Sequence, residues 1–141
     1  MTKFIPFVFL LIYSSTSVAE LYEVKISSRL DPNAIIITEV DIIFVYDNDI
    51  VNNFPKSKSS WYSGKRRFTS SAGDKVDVVN IFIPQGFDSV SPTLPARKAE
   101  ARKVFVFAYH DDAQASPVDV TDMSAVLIEI DPFGIVVSPL N

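Results

Sequence analysis

The pattern of apolar and polar positions along the chain is mainly that of β-structure. In LYEVKISS (21–28), Tyr22, Val24 and Ile26 alternate with Glu23, Lys25 and Ser27, the period of a strand with one face in a core and the other in water. AIIITEVDIIFVY (34–46) is nearly continuous in β-branched and aromatic residues, with charges only at Glu39 and Asp41. It predicts a long central strand buried on both faces for much of its length. KVDVVNIFIP (75–84) predicts a further strand, stopped by Pro84, which has no N–H to give a ladder. KVFVFAY (103–109), SAVLIEI (124–130) and GIVVS (134–138) follow, the last two joined by the turn Asp131-Pro132-Phe133-Gly134. Strands separated by turn-rich stretches predict an all-β fold, an antiparallel β-sandwich.

Helix enters this reading only as one or two short insertions. DIVNNF (49–54) predicts a turn capped by Asp49, and PARKAEARK (95–103) predicts one or two turns opened by a proline. Two connections exceed the roughly 12–15 residues beyond which a structureless loop usually has a task. They run from Asp47 to about Thr69 and from Gln85 to about Lys98, and both carry basic residues.

The first residues stand outside that pattern. MTKFIPFVFLLIYSSTSVAE has one lysine, an apolar run from Phe4 to Tyr13, and small side chains at Ser17 and Ala19. This is the layout of a secretory signal peptide, and the run is about half of the roughly 20 residues that span a bilayer. The expected organisation is a signal peptide over 1–19 and a single β-sandwich domain over 20–141, in the periplasm or outside the cell.

Composition narrows the chemistry. The chain has no cysteine, which removes disulfide stapling, thiol catalysis, cysteine metal sites and a lipobox. Net charge is −4, so general binding to nucleic acid, which depends on neutralising phosphates, is not expected. The charge is segregated: basic residues concentrate between Lys56 and Lys103, whereas residues 104–141 hold six acids and no base. A molecule with one basic and one acidic region is expected.

Catalytic and cofactor constellations are hard to assemble from this inventory. His110, the only histidine, lies in YHDD at a predicted strand end, where Asp111 and Asp112 would point to opposite faces. No Gly-x-Ser-x-Gly elbow exists to deliver a serine to it. Asp47-Asn48-Asp49 resembles the opening of a calcium loop but lacks the glycine and glutamate that follow in one. The scattered glycines make no phosphate cradle, and no cofactor or metal is expected.

KSKSSWYSGKRRF (56–68) remains. Lys56, Lys58, Lys65, Arg66 and Arg67 share it with Trp61, the only tryptophan, and with Tyr62. The stretch reads as a long loop between strands. Either its aromatics fold back onto the core while the charges face water, or Trp, Tyr and Arg cluster at a surface as they do in interface hot spots.

In order along the chain, LDPNAIIITEVDIIFVYD (30–47), Phe54, the stretch from Trp61 to Phe68, KVDVVNIFIPQGFDS (75–89) and ARKVFVFAYHDDA (101–113) resemble segments of the TssJ family, the outer-membrane lipoproteins of the bacterial type VI secretion system. The resemblance covers most of the chain after the leader. It implies a transthyretin-like sandwich in which 47–69 is similar to a helical insertion after the second strand. It also implies a non-enzymatic periplasmic part, associated with the outer membrane, that binds the periplasmic portion of a TssM (IcmF-like) inner-membrane protein. The family's partner loop falls on Arg29, Leu30, Asp31, Pro32 and Asn33, ending at Ala34. The lipidated cysteine of that family has no counterpart here, which implies membrane association through partners. A secreted module or inhibitor acting on a host or competitor protein is the alternative, and it differs in not fractionating with membranes.

Overall fold

The computed structural model describes residues 18–140, so the predicted signal peptide falls, up to residue 17, outside the described residues. The chain folds into β1 (Glu23–Ser28), β2 (Thr38–Val45), α1 (Asn48–Asn52), α2 (Lys58–Ala72), β3 (Val76–Ile83), β4 (Ser89–Val90), β5 (Lys103–Ala108), β6 (Val118–Asp119), β7 (Ala125–Asp131) and β8 (Gly134–Pro139). Two four-stranded sheets result, ordered β4-β1-β7-β8 and β3-β2-β5-β6. All pairings are antiparallel except β1 with β7. The expected β-sandwich is therefore the fold, with one parallel pair inside it.

β2 is central and buried along its length except at Glu39. Its two faces serve two cores, which is why its sequence does not alternate. Val40, Ile42 and Phe44 face the other sheet and pack with Val24, Ile26, Val104, Val106, Ile128 and Ile130. Ile43 and Val45 face outward and pack with Phe54, Trp61, Ala72, Val76 and Phe107 beneath the helices.

Four local expectations are corrected. Residues 34–37 are not strand: β2 starts at Thr38, and Ile35 and Ile37 are 83% and 60% exposed. The helix over 95–103 is only a 3-10 turn, Lys98–Glu100, because Arg102 N–H donates to Val45 O and draws the chain straight into β5. The cap of α1 is Asp47 rather than Asp49; its Oδ1 accepts from Asp49 N and Ile50 N at 2.9 and 3.3 Å. In the first strand Leu21 is buried while Tyr22 is exposed, so the inward positions there are Leu21, Val24 and Ile26.

The registers gather the β1–β2 loop, the exit of β3, the β5–β6 loop and the β7–β8 turn at one end of the sandwich. His110 fastens the two sheets there. Its Nε2 lies 3.0 and 2.8 Å from the carbonyls of Asp131 and Gly134 and so carries the proton, while Nδ1 faces Thr38 Oγ1 at 3.0 Å. Both ring nitrogens are thus engaged in joining β2 and β5 to the β7–β8 turn. Asp111 approaches the same turn so closely that a methyl carbon on Gly134 would lie 2.5 Å from its Oδ1. Gly134→Ala is expected to cost about 1–3 kcal/mol, seen as an earlier urea midpoint with an unchanged slope.

Candidate protein-interaction surface

Residues 58–72 form a helix where the charges and serines suggested a loop. Ser57 caps it, accepting from Ser60 N at 3.1 Å, and Gly73 ends it at φ +56 while donating to Thr69 O. Its serines and Gly64 are weak helix formers, so the helix depends on tertiary packing. That packing comes from one stripe, Trp61, Lys65, Phe68 and Ala72, spaced four, three and four residues apart. The stripe was legible in the sequence as a helical period hidden among basic residues.

Trp61 is fully buried. Its ring stacks on Phe107 at 5.9 Å and 11° and on Phe54 at 5.9 Å, and meets Phe68 edge-on at 5.4 Å. Its Nε1–H donates to Asp41 Oδ2 at 2.8 Å. Asp41, also fully buried, further receives Lys65 Nζ at 2.8 Å and Asn80 Nδ2 at 2.7 Å. One carboxylate in the central strand thus joins α2, β2 and β3, with three donors compensating its burial. Of the two arrangements open to the aromatics, the structure has the one in which Trp61 turns inward, so it offers no surface to a partner.

The other candidate residues divide. Tyr62 is partly buried, donates to Phe107 O at 3.3 Å and meets Tyr109 edge-on at 5.1 Å. Burial, and then the carboxylates of Asp41, Glu39 and Asp111, push its phenol well above the usual tyrosine range, so it stays protonated. Lys65 is held by Asp41, and Lys58 Nζ sits 5.2 Å from the Tyr109 ring centroid. Lys56, Arg66 and Arg67 are exposed and, among the described residues, in no ion pair. Arg66 and Arg67 border an open cleft with Ser63, Gly64 and Ser70.

At the β1–β2 loop, Arg29 Nε pairs with Glu129 Oε2 at 2.8 Å and Leu30 packs against the inter-sheet core. Asp31 Oδ1 accepts from Asn33 N at 2.8 Å, a local turn that leaves Asp31, Pro32 and Asn33 exposed. The structure therefore does not bring this loop and the α2 arginines into one cluster. The loop lies at the end of the sandwich, and the arginines lie along the outer face of a helix on the β3-β2-β5-β6 sheet. Residues that sequence reasoning missed are the exposed apolar ones at the loop end: Ile35, Ile37, Phe82, Tyr109 and Phe133, each more than half exposed.

No family model matches the sequence, and no curated protein matches it. Solved structures do. Serratia marcescens Lip, a membrane-bound component of the type VI secretion system, superposes with a TM-score of 0.55 at 11% identity, over 85% of this chain and 97% of that one. The type VI lipoprotein TssJ1 from Pseudomonas aeruginosa gives 0.53 at 14% identity, over 86% and 99%. A chain of a type VI membrane complex gives 0.54 at 17% identity, over 83% and 96%. The chain has the fold of these type VI secretion proteins, as the sequence resemblance implied.

Proposed function

We propose that the chain is a non-enzymatic structural or adaptor component of a bacterial secretion-system membrane complex, exported to the periplasm. There it binds the periplasmic domain of a TssM (IcmF-like) inner-membrane protein, and through that partner it stays with the membrane without a lipidated cysteine. The observation that carries this reading is the likeness of fold to three type VI components over nearly the whole described chain. It is supported by chemistry: the one histidine is engaged between the sheets and the one carboxylate buried among the described residues is engaged between α2 and its sheet, so neither is poised to react.

The partner surface comprises the exposed loop Asp31–Pro32–Asn33 and the cations Lys56, Lys58, Arg66 and Arg67. Such charges steer an acidic partner and set its orientation. Arg66→Glu with Arg67→Glu is expected to weaken co-purification with the periplasmic domain of the TssM-like protein by about tenfold. Both side chains are exposed, so the unfolding free energy should move by no more than about 0.5 kcal/mol. Undiminished co-purification, or a chain that fractionates wholly away from membranes in the native cell, would count against the reading.

A further inference from the structure

β3 closes the β3-β2-β5-β6 sheet with an open edge. The bond from Tyr46 N–H to Lys75 O fixes the ladder phase, so the odd-numbered residues of β3 bond to β2. The N–H and C=O groups of Val78, Asn80 and Phe82 therefore point away from the sheet. Among the described residues no segment bonds to them; the chain leaves at Pro84 and crosses to pair β4 with β1. Of the other edge strands, β4 and β6 have only two residues each and β8 has six with a proline at its end, whereas β3 has eight, and 78–83 (VVNIFI) carries no charge. Long edges are normally blunted by lysine, proline or a bulge, and β3 has none of these before Pro84.

Beside this edge lies a cleft of about 280 Å³ lined by Ile37, Thr38, Glu39, Phe82 and Tyr109. It exists because α2 covers the outer face of the sheet only as far as Tyr62, leaving the last row, Phe82 beside Glu39 beside Tyr109, uncovered. Among the described residues the Glu39 carboxylate accepts only from Asn80 Nδ2, at 3.2 Å, and is in no ion pair. Asp111 stands with it around Tyr62, and the neighbouring cation Lys58 is engaged with the Tyr109 ring.

We propose that the edge of β3 and this cleft form a strand-addition site. It takes an extended segment of a partner protein that places an apolar side chain in the cleft and a basic one against Glu39. In this mode the backbone supplies affinity and pockets for alternate side chains supply selectivity. The requirement for a cation excludes a second copy of β3 as the occupant, because β3 has no basic residue. The site does not include the Arg29–Ala34 loop or the cations Lys56, Arg66 and Arg67; Lys58 alone borders it, through the Tyr109 ring, and the proposal stands whatever the identity of the envelope partner.

The test uses the purified full chain and short capped peptides that alternate lysine with valine around one central phenylalanine. The expected result is saturable binding by fluorescence anisotropy, with amide NMR shifts concentrated at Val78, Asn80 and Phe82. Phe82→Ser should weaken it by about tenfold, and N-methylation of the peptide at alternate residues should abolish it. Glu39→Gln should bring the lysine peptide down toward a peptide with glutamine in place of lysine. Phe82 and Glu39 are not core residues, and circular dichroism of each variant verifies the fold. Absence of binding, equal binding of the glutamate-alternating peptide, shifts confined to other strands, or self-association of the chain through β3 would each overturn the proposal.

Discussion

Replacing Trp61 with alanine is expected to lower the unfolding free energy by about 3–5 kcal/mol. Three consequences add together. The indole leaves a cavity between Phe54, Phe68 and Phe107, which now close on it from three sides. Asp41 loses one of its three donors while remaining buried, and a buried acceptor deprived of a partner costs about 1–3 kcal/mol by itself. α2, rich in serine and containing Gly64, then keeps only Tyr62, Lys65, Phe68 and Ala72 to hold it to the sheet. The measurement is urea unfolding followed by tryptophan-independent circular dichroism. Amide exchange over 58–72 should accelerate more than exchange in β2, because the helix opens before the sandwich does. A loss under about 0.5 kcal/mol, the size of an ordinary surface substitution, would show that the helix does not depend on this side chain. Any loss of partner binding in Trp61→Ala is then indirect, through a loosened α2, and the arginine pair remains the direct probe of that face.

Much of this fold is written locally. The unbroken apolar run of 34–46 marks a strand with both faces covered, and β2 is covered on one face by the second sheet and on the other by α2. Its two carboxylates are the informative exceptions: a charge inside such a run must find partners, and Asp41 finds Trp61, Lys65 and Asn80. Those partners lie 20 to 39 residues away in sequence, so no periodicity could have named them. The helix over 58–72 was legible in the spacing of Trp61, Phe68 and Ala72, but propensity argued for a loop, and tertiary packing overrode it. β4 and β6, with two residues each, leave no periodic trace. The least legible feature is the exposed end. Alternation tells that Phe82 and Tyr109 share the outer face with Trp61's neighbours, but not where the covering helix stops. That boundary is set by the position of Ser57 against the β5–β6 loop, where Lys58 N and Ser59 N donate to the carbonyls of Ala115 and Ala113 at 2.8 and 3.0 Å. It divides one sheet face into a sealed half and an apolar half open to a partner.

Breaking the Asp41–Lys65 pair from the lysine side is expected to cost about 3–5 kcal/mol, because it strands a carboxylate in a buried site. Lys65→Met keeps the stem that packs along the helix and removes only the ammonium, so the loss reports charge rather than volume. The partner substitution, Asp41→Asn, removes the charge while keeping an oxygen for Trp61 Nε1. The two changes act on one contact of 2.8 Å, so they should not add. The double variant Asp41→Asn with Lys65→Met is expected to be more stable than Lys65→Met alone, since the stranded charge is gone. Equal destabilisation by Lys65→Met and by the exposed substitution Arg66→Met would instead mean that the pair is screened like a surface bridge, worth about 0–1 kcal/mol. The outcome bears on function as well as folding. If the ammonium of Lys65 is fixed on Asp41, it is not free to meet an acidic partner, and the charge available on α2 is that of Lys58, Arg66 and Arg67. Adding salt should then weaken partner binding while leaving the contribution of the buried pair to stability nearly unchanged.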